Sequence, residues 1–328
     1  MKHSELLSRI LIGTGLLLVI GTPLFFWKST PLLHARMAEN GGWRPDVLQA
    51  EVGKPLHLNM TSDDVVHGFA VGQMDMEPVD IEPGKVNSVT LTFDKPGTYT
   101  FYCTRWCGPN HWRMRGTIEV SGSSSDPKPA TTIPLYVTLH IDIDAPHETL
   151  VVPEKQPLAI SGQQLASQLP TSQFTNPDFY RASSPYQVFE DLNKTSLSDS
   201  EKWDVVSYLW QSNTTPEALA DGKKLYAQNC AACHGESGAG DGVFADDLAQ
   251  AGKTSTQNMA GAPEMARQRP ANFTDPKRML GASPALLQGK ILRGGMGTGM
   301  PMWGSIFTEK QIWDLVAYIY SFQFEYHH

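Results

Sequence analysis

Cysteine is scarce in this sequence. Four occur in 328 residues, in two close pairs, Cys103/Cys107 and Cys230/Cys233, and none is left over for a long-range staple. That argues against a disulfide framework; the spacing is that of metal ligation or covalent attachment. Positive charge is also short: 26 Lys and Arg against 34 Asp and Glu give a net charge of −8 and a pI of about 5.7. Nucleic-acid binding is disfavoured by that balance, whereas a basic protein partner suits it. No phosphate-binding loop, Ser/His/Asp arrangement or paired-carboxylate motif is present, so no catalytic residue is expected. The scattered acids Asp63, Asp64, Asp246 and Asp247 read as solvated turns.

One apolar run stands out, ILIGTGLLLVIGTPLFFW at residues 10–27, uncharged and ending in aromatic residues suited to a membrane interface. Lys2 and Arg9 would also suit a cleaved signal peptide, but no small-x-small cleavage site follows, and Phe25, Phe26 and Trp27 extend the run to a spanning length. Residues 1–30 are therefore expected to be an uncleaved, single-pass N-terminal anchor. Lys28 and Arg36 after the run balance the basic residues before it, so charge does not fix its orientation.

Beyond the anchor the pattern changes twice. Residues 46–120 alternate apolar and polar positions, with Pro-Gly turns between short runs, which predicts a small all-β sandwich over 40–121. SGSSSDPKPATT, 121–132, is a Ser/Pro linker. Residues 216–328 open with PEALADGKKLYAQNC and close with EKQIWDLVAYIYSF, both helical, and predict an all-α domain. The stretch 122–215 holds the linker and then LSDSEKWDVVSYLWQ, in which Trp203, Asp204, Val206 and Tyr208 line up with Trp313, Asp314, Val316 and Tyr318. This reads as the remnant of a second copy of the last domain, the alternative being two amphipathic helices that happen to look alike. With no cysteine between 108 and 229, it cannot attach a haem in the usual way. The fold class is thus multi-domain: membrane helix, β-sandwich, then helical domain.

CTRWCGPNHWRM, 103–114, places Cys103, Cys107, His111 and Met114 within one loop, and SDDVVHGF supplies His67 upstream. Thiolate, imidazole and thioether are soft ligands, suited to copper, zinc or iron–sulfur and not to magnesium or calcium. A structural zinc site has no use for the methionine. Two thiolates, two imidazoles, a thioether and a backbone carbonyl can hold two copper ions. These segments, with the strand KPGTYTFYC, resemble the CuA domain of subunit II of haem–copper oxidases, whose motif is Cys-x-x-x-Cys-Gly-x-x-His-x-x-Met with a distant upstream His. The resemblance covers 46–120 and implies a cupredoxin sandwich with a mixed-valence dicopper centre. His67, Cys103, Cys107, His111 and Met114 fall on its ligand positions, and Arg105 would contribute its main-chain oxygen. Common family members carry Glu at position 105, where it helps hold magnesium, and they have a tryptophan-rich strand and a second span that are missing here. TRW and RMRG also resemble nitrous oxide reductase, without that enzyme's propeller. His57, Met60, Met74 and Met76 read as ordinary surface or packing residues.

NCAACHG, 229–235, contains Cys-x-x-Cys-His, the attachment signature of c-type haem, with Cys230 and Cys233 as thioether anchors and His234 as proximal ligand. Gly222 and Tyr226 precede Cys230 by eight and four residues. In class I cytochromes c, which this segment resembles, such residues pack the first helix on the last, here through Trp313, Val316 and Tyr318. The resemblance favours Met300 of GMPMWG as the sixth ligand, with Met296 and Met302 as rivals. Methionine–histidine ligation raises the iron potential.

Together the two resemblances imply an electron-transfer subunit II of a haem–copper terminal oxidase. Electrons would pass from a cytochrome c donor through haem c and CuA to a catalytic subunit I that reduces oxygen. The alternatives are the CuA subunit of a nitric oxide reductase, or a free membrane-anchored carrier. Both cofactors mature outside the cytoplasm, so the domains are expected on the periplasmic or outer face of the cell membrane.

Overall fold

The computed structural model describes residues 32–108, 111–123, 133–167, 169, 174, 176–248, 269–295 and 299–326. The expected anchor at 1–30, most of the Ser/Pro linker and Met296 lie outside the described residues. Among those described, no helix is long and apolar enough to cross a membrane.

Two-residue alternation builds the first unit. Strand β8 (Arg115–Ser121) turns Gly116, Ile118 and Val120 inward and leaves Glu119 and Ser121 in solvent; β3 (Leu56–Ser62) buries Leu58, Met60 and Ser62 in the same rhythm. With β1 (Leu32–Ala35), β2 (Val47–Glu51), β4 (His67–Val71), β5 (Val79–Ile81), β6 (Asn87–Leu91) and β7 (Gly97–Tyr102), they make two sheets. Their orders are β1-β3-β6 and β2-β8-β7-β4-β5. The β1–β3 and β2–β8 pairs are parallel and the others antiparallel.

Between the sheets, Trp43, Phe69 and Phe101 meet at centroid distances of 5.4–5.9 Å, each such aromatic pair adding about 0.5–1.5 kcal/mol beyond its burial. Trp43 Nε1 donates to the Met114 carbonyl at 3.0 Å, pinning the chain where it re-enters β8. Gly116 has to be glycine: a Cβ there would lie 2.1 Å from the Phe101 ring. Met60 is fully buried, Met74 and Met76 pack half-buried on the same core, and His57 sits exposed beside Thr90, all as expected of packing and surface residues.

The remainder is helical: α1 (Leu135–Thr138), α2 (Ala159–Ala166), α3 (Pro177–Ala182), α4 (Pro185–Asp191), α5 (Asp199–Ser212), α6 (Pro216–Asn229), α7 (Ala231–His234), α8 (Pro276–Met279), α9 (Pro284–Arg293) and α10 (Glu309–Tyr320). The starts follow from local chemistry. Thr215 caps α6 with Pro216 in its first turn, and Ser198/Glu201 and Thr308/Gln311 form reciprocal capping boxes on α5 and α10.

Two helix crossings are tight enough to require glycine. A Cβ on Gly222 of α6 would lie 2.1 Å from the Asp314 carbonyl oxygen of α10, and one on Gly162 of α2 would lie 1.9 Å from the Asp204 carbonyl oxygen of α5. At the first crossing Tyr226 meets Tyr318 at 5.3 Å, as the sequence suggests, but Trp313 is used differently, its ring carrying the Arg181 guanidinium at 4.5 Å. One apolar core runs through all the helices, with Trp210 of α5 meeting Tyr320 and Phe324 at 5.8 and 6.1 Å.

The sandwich and the helices meet along a seam. The Gln73 backbone N–H donates to Ile306 O at 2.7 Å and its side chain to Gly304 O at 2.9 Å. Arg115 donates to Met302 O at 2.8 Å and lies 5.5 Å from the Trp303 ring centroid. Gly72 makes the approach possible, since a Cβ there would meet Ser305 O at 2.6 Å.

Candidate metal centre and haem attachment site

β7 ends at Tyr102 and β8 begins at Arg115, and the Cys103–Met114 loop between them is closed at its base by Cys103 N–H donating to Met114 O at 3.1 Å. The loop's sulfur and nitrogen donors converge. Cys103 Sγ lies 3.9 Å from Cys107 Sγ, 3.7 Å from His67 Nδ1 and 3.2 Å from the Arg105 carbonyl oxygen. Cys107 Sγ lies 3.5 Å from His111 Nδ1 and 3.2 Å from Met114 Sδ. His67, Cys103, Cys107, His111 and Met114 are all buried. His67, Cys103 and Cys107 form the group of potential metal ligands found among the described residues. Such a soft, water-excluded donor set fits copper. The Arg105 side chain points elsewhere and grips Asp80 with two hydrogen bonds, at 2.8 and 2.5 Å, which holds the Asp80 carboxyl below its usual range.

The electrostatics follow the same geometry. The Cys103 thiol is driven down to about 3, chiefly by the hydrogen bond from Cys107, against burial and with the help of His111 and His67. Cys107 is driven up by that same neighbour and by burial. The two thiols thus share one hydrogen bond that favours losing the first proton from the pair, and a thiolate is the form that ligates metal.

Asp64 corrects the sequence reading, which made it a solvated turn. Its Oδ1 accepts from His67 Nε2 at 2.7 Å and from Val65 N–H at 2.7 Å; its Oδ2 accepts from Met37 N–H at 2.7 Å and Asn40 Nδ2 at 3.1 Å. Burial would raise its pKa, but these donors, His67 first, bring it down to about 2. The ionised Asp64 accepts the His67 Nε2 proton, so the neutral form of the ring turns its unprotonated Nδ1 toward the sulfur cluster. The signal was readable: an acid three residues before a candidate ligand histidine. Asp63 is likewise held, by His34 and Arg36. Asp246 and Asp247 are exposed, as expected, with Asp246 paired to Arg269.

On the helical side, Cys230 ends α6, and Cys233 and His234 lie on the single turn α7. Gly235, at φ +80, stops the helix, and its carbonyl receives the Tyr226 hydroxyl at 2.7 Å. His234 Nδ1 donates to Ala271 O at 3.0 Å, which frees Nε2 for an iron, and Phe273 stacks on the imidazole at 4.5 Å. Burial pushes His234 down, toward the neutral form a ligand needs. Burial, with a lesser contribution from Cys233, pushes the Cys230 thiol up to about 12, and burial alone takes Cys233 to about 11. Their environment is thus unlike that of Cys103 and keeps both thiols protonated. Of the candidate sixth ligands, Met300 packs against the helical core, whereas the Met302 side chain is 60% exposed.

An all-β unit with a buried thiolate–imidazole–thioether cluster, joined to an all-α unit with a Cys-x-x-Cys-His turn, defines a two-centre electron-transfer class. Comparison with known proteins agrees in both halves. Residues 46–121 match the family of the cytochrome c oxidase subunit II periplasmic domain, and residues 219–323 match the cytochrome c family. The chain is 38% identical over 79 residues to cytochrome c oxidase subunit 2 of Thermus thermophilus, a match covering 24% of this chain and 58% of that one. A second subunit 2, from a named strain of the same organism, matches at 38% identity over 24% of this chain and 46% of that one. The chain spans about half the length of these relatives. Among solved structures, a haem–copper terminal oxidase dimer aligns at 26% identity over 37% of this chain and 98% of that one, TM-score 0.24. The periplasmic domain of subunit II of the Bradyrhizobium japonicum cytochrome oxidase aligns at 28% over 23% and 54%, TM-score 0.22. The chain therefore joins a domain similar to the subunit II periplasmic domain to one similar to cytochrome c, with a His/Cys/Cys cluster in the first that fits copper.

Proposed function

We propose that the chain is the electron-entry subunit II of a haem–copper terminal oxidase, taking electrons from a cytochrome c donor and passing them to a catalytic subunit I that reduces oxygen. Bound, the two cofactors would supply one-electron redox chemistry. His67, Cys103, the Arg105 carbonyl, Cys107, His111 and Met114 would hold the copper pair. Cys230 and Cys233 would anchor the haem, with His234 and Met300 on its iron. The observation that carries this reading is the convergence of all six copper-site donors in one buried cluster, linked by neighbour distances of 3.2–3.9 Å. On this reading residues 1–30 tether the periplasmic units to the membrane.

One observation favours a second reading. Arg105, held by Asp80, offers no carboxylate where standard oxidases use Glu to hold magnesium, so the acceptor would be nitric oxide in a related reductase. Solubilised membranes decide: a subunit comes out with its catalytic partner and a free carrier comes out alone. The complex, given reduced cytochrome c, is expected to consume oxygen; consumption of nitric oxide alone would install the second reading.

Residues 159–212 we take to be a haem-free counterpart of 219–320. Gly162-x-x-Leu165-x-x-Gln168 parallels Gly222-x-x-Leu225-x-x-Gln228; Phe174-Thr-Asn-Pro177 parallels Phe273-Thr-Asp-Pro276; Ser184-Pro185 parallels Ser283-Pro284. Asn176, Asp275, Ser184 and Ser283 all accept helix-capping hydrogen bonds. The differences are deletions. Residues 169–173 stand where 229–272, with the attachment turn, stand in the other unit, and 192–198 stand where 294–308, with Met300, do. Aromatic contacts fill the interior, Phe189 on Trp203 at 4.5 Å and Tyr180 on Trp210 at 5.4 Å.

A further inference from the structure

Between the two copper-site cysteines sits Trp106, and its ring touches both halves of the molecule. Its centroid is 4.5 Å from that of His111, with the planes at 42°, and 5.0 Å from that of Phe244, with the planes at 27°. Phe244 belongs to the loop that follows α7. Its N–H donates to Ala232 O at 3.0 Å, and Gly242 N–H donates to Cys233 O at 3.2 Å. From the attachment turn to a copper-site histidine there is thus an unbroken run of backbone, hydrogen bonds and two ring contacts.

We propose that Phe244 and Trp106 form the electronic bridge between the haem unit and the copper loop. This rests on the electron-transfer function proposed above. In each passage the haem unit is oxidised by one electron and the copper unit reduced by one, and the two rings return unchanged. The Arg115–Met302–Trp303 contact, one of those along the seam between the halves, has a different character. It joins a cationic side chain to a backbone carbonyl and a ring, and neither contact reaches a copper-site donor atom. The seam holds the units together; the ring stack touches an imidazole of the metal cluster itself. Among the described residues the Trp106 Nε1–H has no hydrogen-bond partner, so Trp106→Phe keeps an aromatic ring in place without breaking a hydrogen bond.

The experiment uses the complete chain with both cofactors loaded. An electron is injected photochemically, and the rate of haem-to-copper equilibration is followed with both reduction potentials and the nitrogen couplings of the copper signal. Trp106→Leu and Phe244→Leu are each expected to slow equilibration by about tenfold or more, equivalent to about 1.4 kcal/mol of barrier, with the potentials unmoved. Trp106→Phe restores most of the rate. Trp106→Leu also changes the histidine nitrogen coupling, because the indole no longer stacks on His111; Phe244→Leu leaves it unchanged. Should Trp106→Leu fail to load copper, Phe244→Leu, which touches no copper-site donor, carries the test. Wild-type rates in both leucine variants overturn the bridge, as does a slowing confined to Arg115→Met. A loaded wild-type chain that does not equilibrate at all overturns the functional reading along with it.

Discussion

Replacing Gly222 by alanine adds one methyl group, and its effect separates helix propensity from packing in a single measurement. In an exposed helix the change would stabilise by about 1 kcal/mol, because alanine loses less backbone entropy on folding. Here the new Cβ would lie 2.1 Å from the Asp314 carbonyl oxygen and 2.8 Å from Tyr318 Cβ, where ordinary contact begins at 3.4 Å. The first distance alone demands that α6 and α10 part by more than 1 Å. A carbonyl fixed in a helix cannot rotate aside as a flexible side chain can, so the overpacking cost sits near the top of its usual range, about 3 kcal/mol, and the net loss is about 2 kcal/mol. Gly162→Ala, with 1.9 Å to the Asp204 carbonyl oxygen, should cost as much. Urea unfolding followed by far-UV circular dichroism at fixed cofactor loading measures both. Gly222→Ala should also weaken the methionine–iron charge-transfer band, since it displaces the helix on which the haem unit is built. Stabilisation by either alanine would mean that its crossing is looser than described, and for Gly162 it would remove the main support for a haem-free counterpart.

The other expectations concern the two centres. Asp64→Asn puts an amide NH2 where only acceptors fit and releases the proton position on His67, so copper affinity should fall about 10–100-fold in a competition titration; unchanged affinity would show that Asp64 does not orient the ligand. Cys103→Ser and Cys107→Ser should each abolish the dinuclear copper spectrum while Met114→Leu keeps it at a shifted potential; a mixed-valence signal surviving in either serine variant contradicts sulfur bridging. Met300→Ala should convert the haem to a high-spin or otherwise ligated form, and Met302→Ala should not; the reverse result would assign the iron to Met302.

Both proposed centres could be read from the sequence because their chemistry acts over short chain distances. A thioether-linked haem needs its two cysteines and histidine within one turn, and a bridged copper pair needs Cys103, Cys107, His111 and Met114 within one loop, so the spacing itself carries the information. What the sequence withheld depends on partners far along the chain. Asp64 looks solvated until Met37 and Asn40, more than twenty residues earlier, turn it into a half-buried carboxylate with donors on both oxygens. Nothing near Trp106 in the sequence announces Phe244, 138 residues later, whose ring stacks on it. Trp313 shows the same limit: periodicity places it on an apolar stripe but cannot say that Arg181 covers its ring as well. Domain boundaries drawn from composition share that weakness. Thr215 and Pro216 mark a real helix start, yet Trp210 packs across that point onto Tyr320 and Phe324, so the two helical units share one core. Loss of residues 159–212 would therefore strip apolar cover from the closing helix α10, which gives a physical reason for that segment to stay beside the last domain even on the proposed reading that it holds no haem.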